Sequence, residues 1–194
     1  MTNPSGHTFW AEMSASEHIL HVYENEALFL DILVDFVSDG LMKGETAIVV
    51  ATPRHRQRLD ALLELRGIDV AAAKSDEKFI SLDAEETLEK FMLNPNPGTD
   101  DKWPDEAAFY KVITDLLKRT RAKERKVRVF GEMVALLWEK GHCAATVRLE
   151  HLWHGLCAKE SFNLFCAYPK AGFMEDPVDS IARISALHSK SLAS

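Results

Sequence analysis

What this chain lacks narrows its function considerably. No GxxxxGK[ST] or GxGxxG run occurs in its 194 residues, so the glycines and lysine that let backbone amides and an ammonium approach nucleotide phosphates are missing. No GxSxG elbow is present to expose a nucleophilic serine. There are only three cysteines, Cys143, Cys157 and Cys166, with no CxxC spacing; this disfavours a disulfide framework or a thiolate zinc finger and suits a reducing, cytoplasmic setting. No apolar run approaches the ~20 residues a membrane helix needs, and the first residues carry no signal-peptide pattern. Positive charge is scarce: the net charge is -7, the wrong sign for a phosphate-binding surface. The one basic cluster, KRTRAKERK (118–126), includes Glu124 and precedes a strand. It reads as the wet end of a helix. Neither a nucleic-acid nor a membrane partner is expected.

What is present is an alternation of strand and helix signals. HILHVY (His18–Tyr23), TAIVVAT (46–52), KFISLDA (78–84), VRVFGE (127–132) and FNLFCAYP (162–169) are short β-type runs. TAIVVAT is apolar on both faces, as a buried parallel strand requires. Between the runs, apolar residues recur at helical spacing: Phe29, Ile32, Leu33, Phe36 and Val37, then Leu59, Leu62 and Leu63 after Pro53, then Phe109, Val112, Ile113, Leu116 and Leu117. EETLEKFM adds a short helix, and Leu149, Leu152, Trp153 and Leu156 make one face of a later one. NPNPGTDDKWPD (94–105) is too rich in Pro, Gly and Asp to predict regular structure. The pattern predicts an α/β fold in three layers, a mostly parallel sheet with helices on both faces. Residues 1–16 read as a tail, 17–174 as the domain, and 175–194 as a C-terminal helix. Its stripe of Ile181, Ile184 and Leu187 either folds back or forms a homodimer contact.

Ligands in such folds bind at the carboxyl ends of the strands. That rule nominates Tyr23, Glu24 and Asn25 after the first strand, and Thr52, Arg54 and His55 after the second. Asp83, Gly131, Glu132 and Tyr168 end the other three. Trp138 or Trp153 would supply an aromatic wall, although core packing is the more ordinary account of each. The loop after the first strand, YENEALF, holds two carboxylates and no glycine or lysine, so it would repel a triphosphate. Glu132 follows Gly131 at a strand-to-helix turn; its carboxylate either serves the helix dipole or faces the crevice. His18 and His21 lie three apart on a strand and point to opposite faces. His151 and His154 lie three apart on a helix and could share an ion, but no third ligand accompanies them. Cys166 reads as a small core residue. No catalytic residue, metal or cofactor is expected.

Several longer segments, among them FGEMVALLW, RLEHLW and CAYP in that order, resemble the MEDS domain, a methanogen/methylotroph sensory domain named for a dichloromethane-responsive regulator. The similarity spans residues 17–189. Val22, Asn25 and His154 depart from the family's usual residues. The resemblance implies a RecA/KaiC-like fold without a working phosphate-binding loop, with Glu132 where the related ATPases keep their Walker B strand. It also implies a non-catalytic module that binds a small organic ligand and regulates a partner such as a histidine kinase or transcriptional regulator. The alternatives are a residual nucleotide-binding protein or weak ATPase, and a pure protein-interaction domain. With about sixteen residues before the matched region, no DNA-binding helix-turn-helix is expected.

Overall fold

The computed structural model describes residues 10, 13–14, 16–96, 98–99, 101–121, 123–173 and 182–192. Its strands, in chain order, are β1 (His18–Tyr23), β2 (Thr46–Ala51), β3 (Phe79–Asp83), β4 (Met92–Leu93), β5 (Trp103–Pro104), β6 (Val127–Gly131), β7 (Asn163–Pro169) and β8 (Lys190–Leu192). All six residues of β2 are buried, as the uninterrupted apolar run TAIVVA requires of a strand covered on both faces. Six strands form one sheet in the order β3-β2-β6-β7-β1-β8, and every pairing in it is parallel.

Helices cover both faces, giving the three-layer α/β architecture. α1 (Glu26–Met42), α2 (Pro53–Leu65) and α3 (Val70–Ser75) pack on one face, over Ile19, Ala47, Val49, Phe130 and Phe165. α4 (Ala84–Glu89), α5 (Glu106–Arg121), α6 (Met133–Glu139) and α7 (Cys143–Glu160) pack on the other, over Leu20, Ile48, Val50, Val129 and Leu164. Neighbouring residues on each strand thus serve opposite cores, the period of two expected of a pleated strand. Neighbours β2 and β6 feed α2 and α6, which leave toward opposite faces. Such a switch point opens a crevice at the strand ends.

The amino end of β6 carries a buried cation. Arg128 is 1% exposed and donates to Phe36 O at 2.6 Å and Glu45 Oε2 at 2.7 Å. Its other terminal nitrogen lies 3.1 Å from Asp39, and the guanidinium covers the Phe36 ring. The side chain threads past Gly40 of α1, where a Cβ would fall 2.4 Å from Arg128 Nε. Two carboxylates and a carbonyl near the helix end offset the cost of burying the charge.

Three features differ from the sequence expectation. The Asn94-to-Asp105 stretch is not wholly irregular, because β5 pairs antiparallel with β4; side chains of Asn94, Asn96 and Thr99 stitch the turn between them. The C-terminal segment is not one helix. Residues 182–185 make a single turn, and β8 then adds a sixth strand beside β1. Ile184 is buried in the domain while Ile181 lies outside the described residues, so the stripe folds back at Ile184. Trp10, within the expected tail, is buried against Phe36 and Phe165. The basic cluster behaves as expected, with Arg119 and Lys123 both paired to Glu77.

Gly40→Ala tests the Arg128 packing. In an ordinary helix interior this change stabilises by about 1 kcal/mol. Here it pushes a methyl into a fixed, buried guanidinium, and overpacking of that kind costs about 1–3 kcal/mol. Chemical denaturation is expected to show a net loss of about 1 kcal/mol; a gain would contradict the packing described.

Candidate functional site

The β1–α1 connection is only Glu24 and Asn25. Asn25 caps α1, its Oδ1 accepting from the amides of Ala27 (2.9 Å) and Leu28 (3.2 Å). Those amides are the donors a phosphate would need, and they are taken. Glu26 follows, its carboxylate within 2.8 Å of Arg54 and 3.2 Å of Arg58.

At the end of β2, Thr52 occupies the N-cap of α2 but makes no side-chain cap bond. Its amide instead donates to Glu132 Oε2 at 2.8 Å. Glu132 opens α6, and its own amide donates to Val50 O at 2.9 Å. Its carboxylate is therefore turned away from α6 and across to the neighbouring strand. His55, one turn into α2, places Nδ1 2.6 Å from Glu132 Oε1 and Nε2 2.9 Å from Glu26 Oε1. Each ring nitrogen thus faces a carboxylate oxygen, an arrangement that favours the imidazolium, which donates from both. Burial pulls the His55 pKa down, but the bonds and charges of Glu132 and Glu26 outweigh it, and the value stands above the ordinary 6.5.

Together these residues line an open cleft of 790 Å³. Tyr23, Leu136, Pro169 and Ala171 make its apolar wall. Tyr23 stacks on Phe29 at 4.5 Å, and burial, with Glu132's charge second, raises its phenol pKa, so it remains a hydroxyl donor. Lys170 pairs with Glu24 at the rim. Glu139 completes the lining; desolvation and then the charge of Glu132 raise its carboxyl pKa.

Of the residues nominated from sequence, Tyr23, Glu24, Thr52, His55 and Glu132 meet at this cleft, as does Arg54. The others lie elsewhere. Asp83 caps α4, accepting from the amides of Glu85 and Glu86. Trp138 donates to Gly172 O at 2.7 Å and packs on Phe173 in the core. Trp153 is a core residue, edge-on to Phe109. Tyr168 points to the opposite face from Tyr23 and donates to Glu150. Its position at a strand end was the right one, but its place in the strand's alternation directs it into the core. Sequence reasoning missed Glu26, Leu136, Glu139 and Lys170. The spacing of Glu132, Leu136 and Glu139, four and then three residues apart, is the signal that one helix face turns toward the cleft.

The histidines also separate as their spacing predicts. His21 lies among Tyr23, Phe29 and Phe165 on the α1 face, and burial lowers its pKa to about 4. His18 lies on the α7 face beside Glu150 and Cys166. His151 and His154 are both exposed.

Glu132→Gln isolates the His55 clasp. NMR titration of the wild-type imidazole is expected to give half-protonation above pH 6.5, moving down in the variant. A raised folded-state pKa contributes stability that is fully present below about pH 6.5 and fades as pH rises through the folded value. The variant's deficit, about 2 kcal/mol at pH 6 for a charge-assisted bond, therefore narrows at higher pH. An unshifted titration would contradict the pairing.

Among the described residues, no helix is long and apolar enough to cross a membrane. Comparison with curated proteins finds no match. The sequence model of one family, described as the MEthanogen/methylotroph, DcmR Sensory domain, matches residues 17–188. With the motifs, the three-layer parallel fold and nearly the whole chain in agreement, this protein belongs to the MEDS family of sensory domains.

Proposed function

We propose that the chain is a cytoplasmic, non-catalytic sensory module whose strand-end cleft binds a small organic ligand and regulates a signalling partner, such as a histidine kinase or a transcriptional regulator. The observation that carries this reading is the cleft at the switch point between β2 and β6, in which a Glu132–His55–Glu26 clasp joins elements from both faces. A part-apolar concavity with a few fixed polar anchors is the usual form of a small-molecule site. Four carboxylates, from Glu24, Glu26, Glu132 and Glu139, outnumber the three cations Arg54, His55 and Lys170 in its lining, so it favours neutral or cationic molecules with hydrogen-bond donors over anions.

An occupant can signal only by favouring one of two arrangements. The clasp supplies a candidate pair, closed as described or opened by a ligand that takes one of the carboxylates for itself. Glu132 then senses or braces and does not act as a catalytic base. The alternative of residual nucleotide binding has no support in the β1–α1 connection, where the helix amides are already occupied and two carboxylates flank them.

Thermal-shift measurements on the full chain test this against a panel of small amines, alcohols and other neutral organics, with Mg-ATP and Mg-ADP alongside. A ligand at a hundred times its Kd stabilises by about 2.7 kcal/mol, or roughly 5–10 °C for a chain of this size. The expected outcome is such a rise with at least one organic compound, lost in a folded Leu136→Trp variant that fills the cleft, and none with nucleotide. Nucleotide stabilisation that disappears in Glu132→Gln would overturn the sensory reading. Absence of any small-molecule effect would favour a protein-interaction domain.

A further inference from the structure

On the α7 face of the sheet, four side chains converge that the cleft does not use. His18 comes from β1, Glu150 from α7, Cys166 from β7 and His188 from the C-terminal segment, and their ligating atoms all lie within 4.8 Å of one another. His18 Nε2 is 3.4 Å from both Cys166 Sγ and Glu150 Oε2. His188 Nε2 is 3.6 Å, and Cys166 Sγ 3.9 Å, from the same carboxylate oxygen. We propose that these four residues form a closed, four-ligand site for a divalent transition metal of the zinc class.

Three observations carry this. The first is an acceptor facing an acceptor. His188 Nδ1 donates to Ile184 O at 2.7 Å, which leaves the lone pair on Nε2. That nitrogen is buried without a hydrogen-bond partner, on a side chain that is 0% exposed, and it is aimed at the carboxylate of Glu150. A cation between them satisfies both. The Nδ1 bond also fixes the tautomer and ring orientation in the way a ligating histidine requires.

The second is size. Bonds of about 2.0–2.1 Å to nitrogen and oxygen and about 2.3 Å to sulfur give a tetrahedron with edges of roughly 3.3–3.6 Å. Four of the six separations run from 3.4 to 3.9 Å and all six lie within 4.8 Å, so contraction by about 1 Å at most closes the shell. The third is charge. One thiolate, one carboxylate, two neutral imidazoles and a divalent ion sum to zero, which suits a site where Glu150 and Cys166 are 0% exposed. The donor set, two nitrogens, one sulfur and one oxygen, is that of a borderline ion and excludes magnesium and calcium as good fits. Glu150 keeps its second oxygen occupied by the Tyr168 hydroxyl, an outer bond that orients the carboxylate.

All four positions are filled by protein, so the ion would be structural. Its effect is to staple the segment at 182–192 onto β1, where Ser189 already exchanges hydrogen bonds with the His18 backbone. Binding displaces the Cys166 proton to solvent.

Chelator-treated full-length protein is titrated with Co²⁺ and, separately, Zn²⁺. One equivalent of Co²⁺ is expected to give the intense visible bands of a tetrahedral site together with a near-ultraviolet thiolate charge-transfer band. Zn²⁺ is expected to displace it stoichiometrically and to raise the Tm. Cys166→Ser should abolish the charge-transfer band, and His188→Gln, on the peripheral segment, should weaken Zn²⁺ binding tenfold or more. Cys143→Ser, which alters the exposed cysteine, should change neither. No stoichiometric binding to the folded wild type, or a spectrum lost in Cys143→Ser and kept in Cys166→Ser, would overturn the proposal. The wild-type spectrum alone decides the matter if a variant fails to fold.

Discussion

The carboxylate of Glu132 is the contact on which the ligand-facing end of this protein depends. One of its oxygens holds the amide that begins α2, the other holds His55, and through His55 it reaches Glu26 at the start of α1. The backbone of the same residue ties β6 to β2. Three helix starts and two strand ends thus meet on one side chain, at the point where the crossovers part to opposite faces. At 7% exposure the charge is costly unless paired, and its position is fixed by the partners that pair it.

β6 carries a buried charge at each end of the sheet. Arg128 locks the amino end of the strand beneath α1 with a set of bonds from Phe36, Asp39 and Glu45. Glu132 faces an open cleft at the other end, where its partners are partly accessible to an incoming molecule. The first arrangement has no room for change, since a single added methyl at Gly40 would collide with it. The second has space on one side. A rigid end and an adaptable end on the same central strand is the layout that would let ligand binding alter the strand ends without unsettling the core.

Much of this was legible in the sequence. Runs such as TAIVVA and VRVF, separated by helical spacing, dictate a buried parallel sheet, and the strand-end rule led directly to Tyr23, Thr52, His55 and Glu132. Side-chain direction was harder. Tyr168 ends a strand as Tyr23 does, yet the two point to opposite faces, and nothing local announces which face of a two-sided sheet holds the crevice. Trp138 and Trp153 could serve a wall as well as the core that tryptophans ordinarily fill, and both lie in the core. His188 was invisible as a partner of His18 because 170 positions separate them, and only the pairing of β8 with β1 brings them together. β8 itself, the short run Lys190–Leu192, has too few residues for its period to be read.

Hydrogen–deuterium exchange of the wild type and Glu132→Ala tests most directly whether this carboxylate is the clasp at the cleft. The account predicts faster exchange at Thr52 and in the first turns of α1 and α2 in the variant, with the amides of β2, β6 and β7 still protected. Equal exchange at Thr52 in the two proteins, with the fold intact, would contradict it.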